Sequence, residues 1–352
     1  MTKSRKIKIA QIGVGHDHAH VVFEALNRLT DVFEVVGYAE VPEDDLDYEW
    51  TKNNKQSRAY AYKNAKKYTV EELLAMPDLD AVTIETYDLN LVKYAQMAAE
   101  KGLHVHMDKA AGESAEEFEK LLSVVKQKRL AFNMGYMYRY NLAIQSAFER
   151  INQGEIGRVY SVDAEMSCYY AKDKREWLGG FQSGMMQYLG CHLIDLIVRL
   201  QGVPNEIIPY NCATLSENVT AKDLAFAVLK YDSGVSSVKS SMLDCGGYMR
   251  RHLLINGEKG TIEIRPLEYY AGDSAKIKSK TTNYTVEDDW TGTGTQTESD
   301  TFDRYEGMLE AFALMVRGER GLEVDLETEA RIQRCLLAAG GLPCDYKAEI
   351  KL

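Results

Sequence analysis

Between residues 6 and 131, short apolar runs alternate with stretches whose apolar residues recur at helical spacing. Ile7 to Ile12 predicts a strand, Ala19 to Leu29 a helix, and Phe33 to Ala39 a second strand ending at Glu40. A polar segment rich in Tyr and Lys follows, and then Val70 to Ala75 predicts a short helix. Ala81 to Glu85 reads as a strand, Leu91 to Lys101 as a helix stopped by Gly102, and Leu103 to Met107 as another strand. Ser114, with Glu117 three residues on, has the capping-box pattern and starts a helix that runs to about Lys128. Arg129 to Asn133 closes the series as a strand. Strands alternating with helices imply a parallel, doubly wound α/β sheet.

The pattern changes after about Gly135. One helix, Leu142 to Gln153, ends at Gly154, and strand-like alternation then dominates. The predicted strands are Arg158 to Met166, Glu206 to Ala213, Leu224 to Tyr231, Val235 to Met242, Arg251 to Asn256 and Thr261 to Arg265. They predict an α+β domain with a large, open, mostly antiparallel sheet, interrupted by a helix from about Gln187 to Leu200. Residues 272–300 are polar and poor in large apolar side chains, which predicts a surface excursion or flexible arm. Two helices, from about Tyr305 and about Leu326, finish the chain. The division is thus 1–133 and 134–352, in keeping with 352 residues and roughly 150 residues per domain.

Composition narrows the function classes. The residues are 45% hydrophobic and 27% charged, with a net charge of -11 and no long basic run. A nucleic-acid partner would need a clustered positive surface, so none is expected. The apolar run at the N-terminus is broken by Lys8, Gln11 and glycines, so it reads as a strand rather than a signal peptide. No stretch approaches the ~20 apolar residues of a membrane span. The six cysteines are scattered with no C-x-x-C pair, which fits free thiols in a reducing cytoplasm.

The first strand runs into Gly13-Val14-Gly15-His16-Asp17-His18. This is a dinucleotide-binding turn of the Rossmann kind, with histidine at the third glycine position. Glu40 ends the next strand about 25 residues beyond Gly15, near the spacing of the acid that holds the adenosine ribose hydroxyls. A carboxylate there repels a 2′-phosphate, so NAD is favoured over NADP. His16, Asp17, His18 and His20, with a second His-x-His at His104 and His106, also suggest a divalent metal. No acidic ligand completes a known spacing and that scheme leaves the glycines unexplained, so no metal is expected. His16 and Asp17 are instead placed over the cofactor phosphates or the substrate, with His18 and His20 opening the helix.

The stretch DAVTIETYDLNLVKYAQMAAEKGLHVHMDKA resembles the signature segment of the glucose-fructose oxidoreductase / inositol dehydrogenase (Gfo/Idh/MocA) family. Thr86-Tyr87 stands for its Thr-Pro, Gly102 to Val105 for Gly-Lys-His-Val, and Asp108-Lys109-Ala110 for Glu-Lys-Pro. The resemblance continues through MGYMYRYNLAIQSAFERINQGEIGRV and GCHLIDLIVRLQGVP, where Tyr188 replaces the first Asp of the family's Asp-x-Gly-x-His-x-x-Asp helix. It implies an NAD(P)-dependent oxidoreductase that moves a hydride between the nicotinamide and a hydroxyl of a sugar, cyclic polyol or glycoside. The nicotinamide would lie in a crevice between domains. Gly13, Val14, Gly15, His16, Asp17, Glu40, Thr86, Tyr87, Asp108 and Lys109 would hold the cofactor. Lys109, His192 and Tyr188 would surround the reacting carbinol. The open second-domain sheet implies a homodimer or homotetramer.

Those residue types suit the chemistry. Hydride leaves to the nicotinamide while the hydroxyl proton leaves to a base, which works best with a pKa near the operating pH. A lysine beside a cationic nicotinamide and away from water has its charged form disfavoured, which moves it toward that range. Histidine is already close to it. Tyr188 either relays a proton or hydrogen-bonds substrate. Asp195, one turn after His192, could orient the imidazole. Trp177 and Tyr138 either line the substrate site or pack in the core, and Arg139, beside Tyr138, is open in the same way. Two other readings keep the fold: a glycoside-cleaving enzyme that oxidises transiently, eliminates and reduces back, and a non-catalytic NAD-binding sensor.

Overall fold

The computed structural model describes residues 5–44, 57–272, 276–288 and 290–352. The chain forms two compact units, one of residues 1–136, 305–330 and 350–352, the other of residues 137–304 and 331–349.

The first unit contains β1 (Ile7–Ile12), α1 (Ala19–Arg28), β2 (Phe33–Ala39), a helix whose described part is residues 57–62 (α2) and β3 (Lys67–Tyr68). It continues through α3 (Val70–Leu74), β4 (Ala81–Ile84), α4 (Leu91–Glu100), β5 (His104–Met107), α5 (Ala115–Lys128) and β6 (Phe132–Met134). All pairings in its sheet are parallel, in the order β3-β2-β1-β4-β5-β6. This is the doubly wound arrangement, with its order reversing between β1 and β4. Strands covered on both faces read as near-continuous apolar runs, and β4 is buried at every position, Thr83 included. Helix α3 starts at Thr69 in a full capping box, and Ser114 Oγ accepts the Glu117 N–H at the head of α5.

The chain returns to this unit with α10 (Glu306–Val316). The sequence division placed this helix in the second domain. Its buried Met308, Leu309 and Phe312 give it an apolar face to cover, and it lies beside α1 and β6. Glu306 pairs with Arg28 at 2.7 Å, and Phe312 meets the His106 ring at 5.9 Å.

The second unit contains α6 (Leu142–Asn152), β7 (Val159–Glu165), α7 (Lys172–Trp177) and α8 (Cys191–Gln201), the last entered through a π-helical turn at Met186–Gly190. The chain then runs β8 (Glu206–Pro209), β9 (Leu224–Tyr231), β10 (Gly234–Ser241), α9 (Gly247–Arg250), β11 (His252–Gly257) and β12 (Gly260–Ile264). The short pair β13 (Tyr269–Tyr270) and β14 (Ile277–Lys278) precedes β15 (Lys280–Thr285) and β16 (Thr295–Glu298). The large sheet has the order β16-β15-β12-β11-β7-β10-β9-β8, antiparallel except for β7 with β10 among the described residues. Alternate residues such as Val162, Ala164, Ala225, Ala227, Leu229, Leu253 and Ile255 are fully buried, and α6 and α8 lie against the sheet. Helix α11 (Leu326–Ala339) ends the regular structure.

The segment 272–300 corrects the sequence reading. Instead of an arm, its described residues supply β14 and the two outermost strands at one end of the large sheet, β15, with Thr281 to Thr285 paired to β12, and the edge strand β16. β16 is exposed throughout and β15 mostly half-exposed, so a Thr-rich polar run suffices at this end of the sheet.

Candidate active site

In an open parallel sheet, ligands bind beyond the carboxyl ends of the strands where their order reverses. The loops leaving β1, β4 and β5 meet there. Gly13 has φ +88°, and a Cβ on it would lie 2.4 Å from Thr86 N, so the turn after β1 sits directly on the loop after β4. A Gly13→Ala variant is expected to lose about 1–3 kcal/mol through this overlap and the positive φ, read as an earlier denaturation midpoint. An unchanged midpoint would contradict the close approach.

Gly15 is needed for a reason the sequence did not suggest. Its would-be Cβ meets the Asp44 carboxylate at 2.4 Å. Asp44 accepts the N–H groups of Val14 (2.8 Å), Gly15 (2.9 Å) and Val41 (3.0 Å), and the Thr86 hydroxyl (2.8 Å). Burial pushes the Asp44 carboxyl up, while these donors pull it back. The Val14 and Gly15 amides, in the turn expected to hold the cofactor, are thus engaged within the chain. An acid four residues past Glu40 was the available signal.

Beneath this turn lies a buried charged cluster of His16, Glu85, Asp88, Asp108 and Lys109. His16 Nδ1 lies 3.0 Å from Asp108 Oδ2, and His18 Nδ1 lies 3.1 Å from the same oxygen. His16 Nε2 lies 3.1 Å from the Lys109 carbonyl and 3.4 Å from Asp88 Oδ1, which is 3.9 Å from Lys109 Nζ. Burial alone would lower the His16 imidazole, but Asp108 and Asp88 on either side hold it well above the ordinary histidine range. Burial lowers His18, with Asp108 opposing. Asp108 is held well below the carboxylate range because its two imidazoles outweigh burial. Burial, and then the charge of Asp108, push Glu85 well up. The second His-x-His divides: His106 is fully buried and lowered to about 4 by burial, while half-buried His104 accepts the Ala131 N–H. Glu85 and Asp88 were missed as site residues, because only the fold brings the end of β4 to the turn after β1.

Beside β1 and β2 a cleft of about 580 Å³ is lined by Val14, Tyr38, Glu40, Val41, Asp44, Arg58 and Tyr62, among others. Glu40 is exposed and pairs with Lys67 at 2.6 Å. Arg58, buried, donates to the Gly15 carbonyl at 3.0 Å, and its Nε has no hydrogen-bond partner among the described residues. A dinucleotide fits this set. The acid at the end of β2 can take ribose hydroxyls, and the guanidinium at the glycine turn supplies a cation for phosphate. Tyr87 is buried at the start of the turn Asp88–Asn90, and Asp17 is half-buried.

The remaining site residues belong to the second unit. Tyr188 lies in the π-helical turn before α8, a departure from regular helix often found at functional positions, and His192 is buried on α8. The Tyr188 ring packs edge-on against Trp177 at 5.3 Å, and the Tyr138 ring meets His192 at 5.4 Å. Lys174, unforeseen from sequence, puts Nζ 4.5 Å from the Tyr170 ring centroid, 5.0 Å from Tyr188 and 5.8 Å from Trp177. Tyr138 is fully buried and receives a long hydrogen bond from Arg251 at 3.5 Å. Asp195 corrects the expectation that it orients His192. It is gripped by Arg139, with Nε 3.1 and 3.2 Å from its two oxygens and a terminal nitrogen 2.7 Å from Oδ1.

Residues 149–339 match the family model described as oxidoreductase family, C-terminal alpha/beta domain. The chain is 26% identical over 192 residues to the uncharacterized oxidoreductase YhhX of Escherichia coli K12, covering 54% of each chain, so it spans about half the length of that relative. It is 24% identical over 269 residues to D-xylose 1-dehydrogenase (NADP(+)) 2 of Haloferax volcanii, covering 76% of this chain and 78% of the relative. The fold is similar to that of UDP-N-acetylglucosamine 3-dehydrogenase GnnA from Acidithiobacillus ferrooxidans, with a TM-score of 0.72, 18% identity, and coverage of 96% of this chain and 97% of that one. Among the described residues no helix is long and apolar enough to cross a membrane.

Proposed function

The chain belongs to the Gfo/Idh/MocA oxidoreductase family, and from that premise we propose that it transfers a hydride between NAD and a hydroxyl carbon of a sugar or cyclic polyol. The observation that carries this reading is Lys109, buried at the end of β5 and 3.9 Å from Asp88, beside the glycine turn at the reversal of strand order. The nicotinamide supplies the hydride acceptor. Lys109 takes the hydroxyl proton, and Asp88 holds its ammonium end. His16, fixed through Nε2 by the Lys109 carbonyl, keeps that backbone in position. His192 and Tyr188 are assigned to substrate recognition and proton handling, Tyr138 and Trp177 to the walls around them. The name of the Haloferax relative supports a sugar as substrate class. A cytoplasmic homo-oligomer is part of the same proposal.

Incubation with NAD and a panel of sugars and cyclic polyols, followed by the absorbance of reduced nicotinamide, tests the reading. Reduction with at least one member is expected. Tight NAD binding with no reduction across the panel would favour the sensor instead.

Glu40 underlies the preference for NAD. Its removal in Glu40→Ala is expected to raise the KM for NAD about 10- to 100-fold, the weight of a hydrogen bond to a charged group, and to narrow the gap to NADP. Arg58 and Lys63 line the same cleft and would then meet a 2′-phosphate unopposed. An unchanged NAD/NADP ratio would remove Glu40 from the ribose site.

A further inference from the structure

We infer that Gln11 is a positioning residue for nucleotide binding, holding the Gly13 turn, the start of α1 and the Tyr62 wall of the cleft in one arrangement. This role rests on the nucleotide reading proposed above and adds to it a residue that does not itself line the cleft.

β1 is an interior strand of the doubly wound sheet, where a near-continuous apolar run is expected. Gln11 breaks that run near its carboxyl end. It is fully buried, opposite Tyr38 on β2 and Thr83 on β4. Its Nε2 lies 2.6 Å from the Tyr62 hydroxyl, 3.0 Å from the Gly13 carbonyl and 3.3 Å from the Ala19 carbonyl. The two N–H groups of the amide thus serve three acceptors. Its Oε1 has no hydrogen-bond partner among the described residues. A leucine here would bury no such oxygen, so packing alone does not account for a glutamine at this position. What the amide adds is its donor end.

In the glycine-rich fingerprint the third glycine lets helix and strand pack closely. His18 holds that position in this chain, and its side chain does not cap α1. The link from β1 to the first residue of α1 is made by a side chain instead, from Gln11 to the Ala19 carbonyl. The same amide holds the Gly13 carbonyl, so both ends of the turn are tied to one group. The third contact reaches the cleft. Tyr62 lines it, with its ring centroid 4.5 Å from that of Tyr38 and 4.6 Å from that of Phe23. Burial pushes the Tyr62 hydroxyl well up, so it stays protonated and accepts the Gln11 N–H as a neutral phenol. Gln11 therefore fixes the turn and this wall relative to each other.

Calorimetric titration of the full chain with NAD, and with ADP-ribose, which lacks the nicotinamide, reads this role. Gln11→Leu is expected to weaken both ligands about 10-fold, with the stoichiometry unchanged. With a panel member that is turned over, the KM for NAD should rise by the same factor, while kcat at saturating NAD stays within about two-fold. A merely structural role would instead reduce the number of competent sites and leave the affinity of the remainder as in wild type. Tyr62→Phe removes one oxygen and keeps the ring, and it should weaken both ligands about 3-fold. Added to Gln11→Leu it should cost little more, because the bond it removes is already gone. Wild-type affinity in both single variants would overturn the role, as would a fall in kcat at unchanged KM or losses that simply multiply in the double variant. Wild type that binds neither NAD nor ADP-ribose would sink the nucleotide reading itself, an outcome distinct from equal binding by wild type and variants.

Discussion

Lys109→Ala is expected to retain NAD binding within a few fold and to lose turnover of the alcohol substrate by about 10²–10⁴-fold, the usual weight of a positioned general base. The lysine lies 3.9 Å from Asp88 and is buried. Its loss removes the proton acceptor, whereas the cleft at β1 and β2 that would hold the adenosine half does not include it. A second variant separates proton transfer from charge. Lys109→Arg keeps a cation but cannot release its proton near neutral pH. It should be as inactive as the alanine variant. Activity restored by arginine would mean that the site needs only a positive charge there, and near-normal turnover by Lys109→Ala would end the assignment of the base.

The largest effect on stability is expected at Arg139 and Asp195. The pair is fully buried, with the guanidinium holding both carboxylate oxygens. Removing one partner leaves the other charge buried without its counter-ion, a loss of about 3–5 kcal/mol. Replacing both by apolar residues of similar volume, Arg139→Met with Asp195→Leu, should recover most of that loss, because the desolvation cost vanishes with the charges. Chemical denaturation of the two single variants and the double variant measures this directly. Additive losses would mean that the two side chains act independently. The same set examines His192, since the account gives Asp195 to Arg139 and expects His192 chemistry to depend on Asp195 only through folding.

The parallel sheet was legible because its signals are local. Apolar runs, capping residues and the Gly13 turn lie within a few positions of what they specify, and β9 falls at Leu224–Tyr231 as its alternation predicts. Contacts made across the chain were not legible. Asp44 reaches back to the glycine turn 29 and 30 residues away, and Asp195 is claimed by an arginine 56 residues before it rather than by its helical neighbour. β15 and β16 were misread because strands at the outer end of a sheet bury little apolar surface, so their composition is that of a loop. In the candidate site, the motif around Lys109 and the histidines after Gly15 could be found from sequence. Glu85 and Asp88 enter only when β4 is paired between β1 and β5.

The most direct test of the central claim follows the hydride itself. A panel member that is turned over is prepared with deuterium at the carbinol carbon, and the nicotinamide product is examined by mass spectrometry after a single turnover. The account predicts that the label appears in the reduced nicotinamide with wild type and that Lys109→Ala gives no labelled product. Turnover of substrate with the label never reaching the nicotinamide would contradict it.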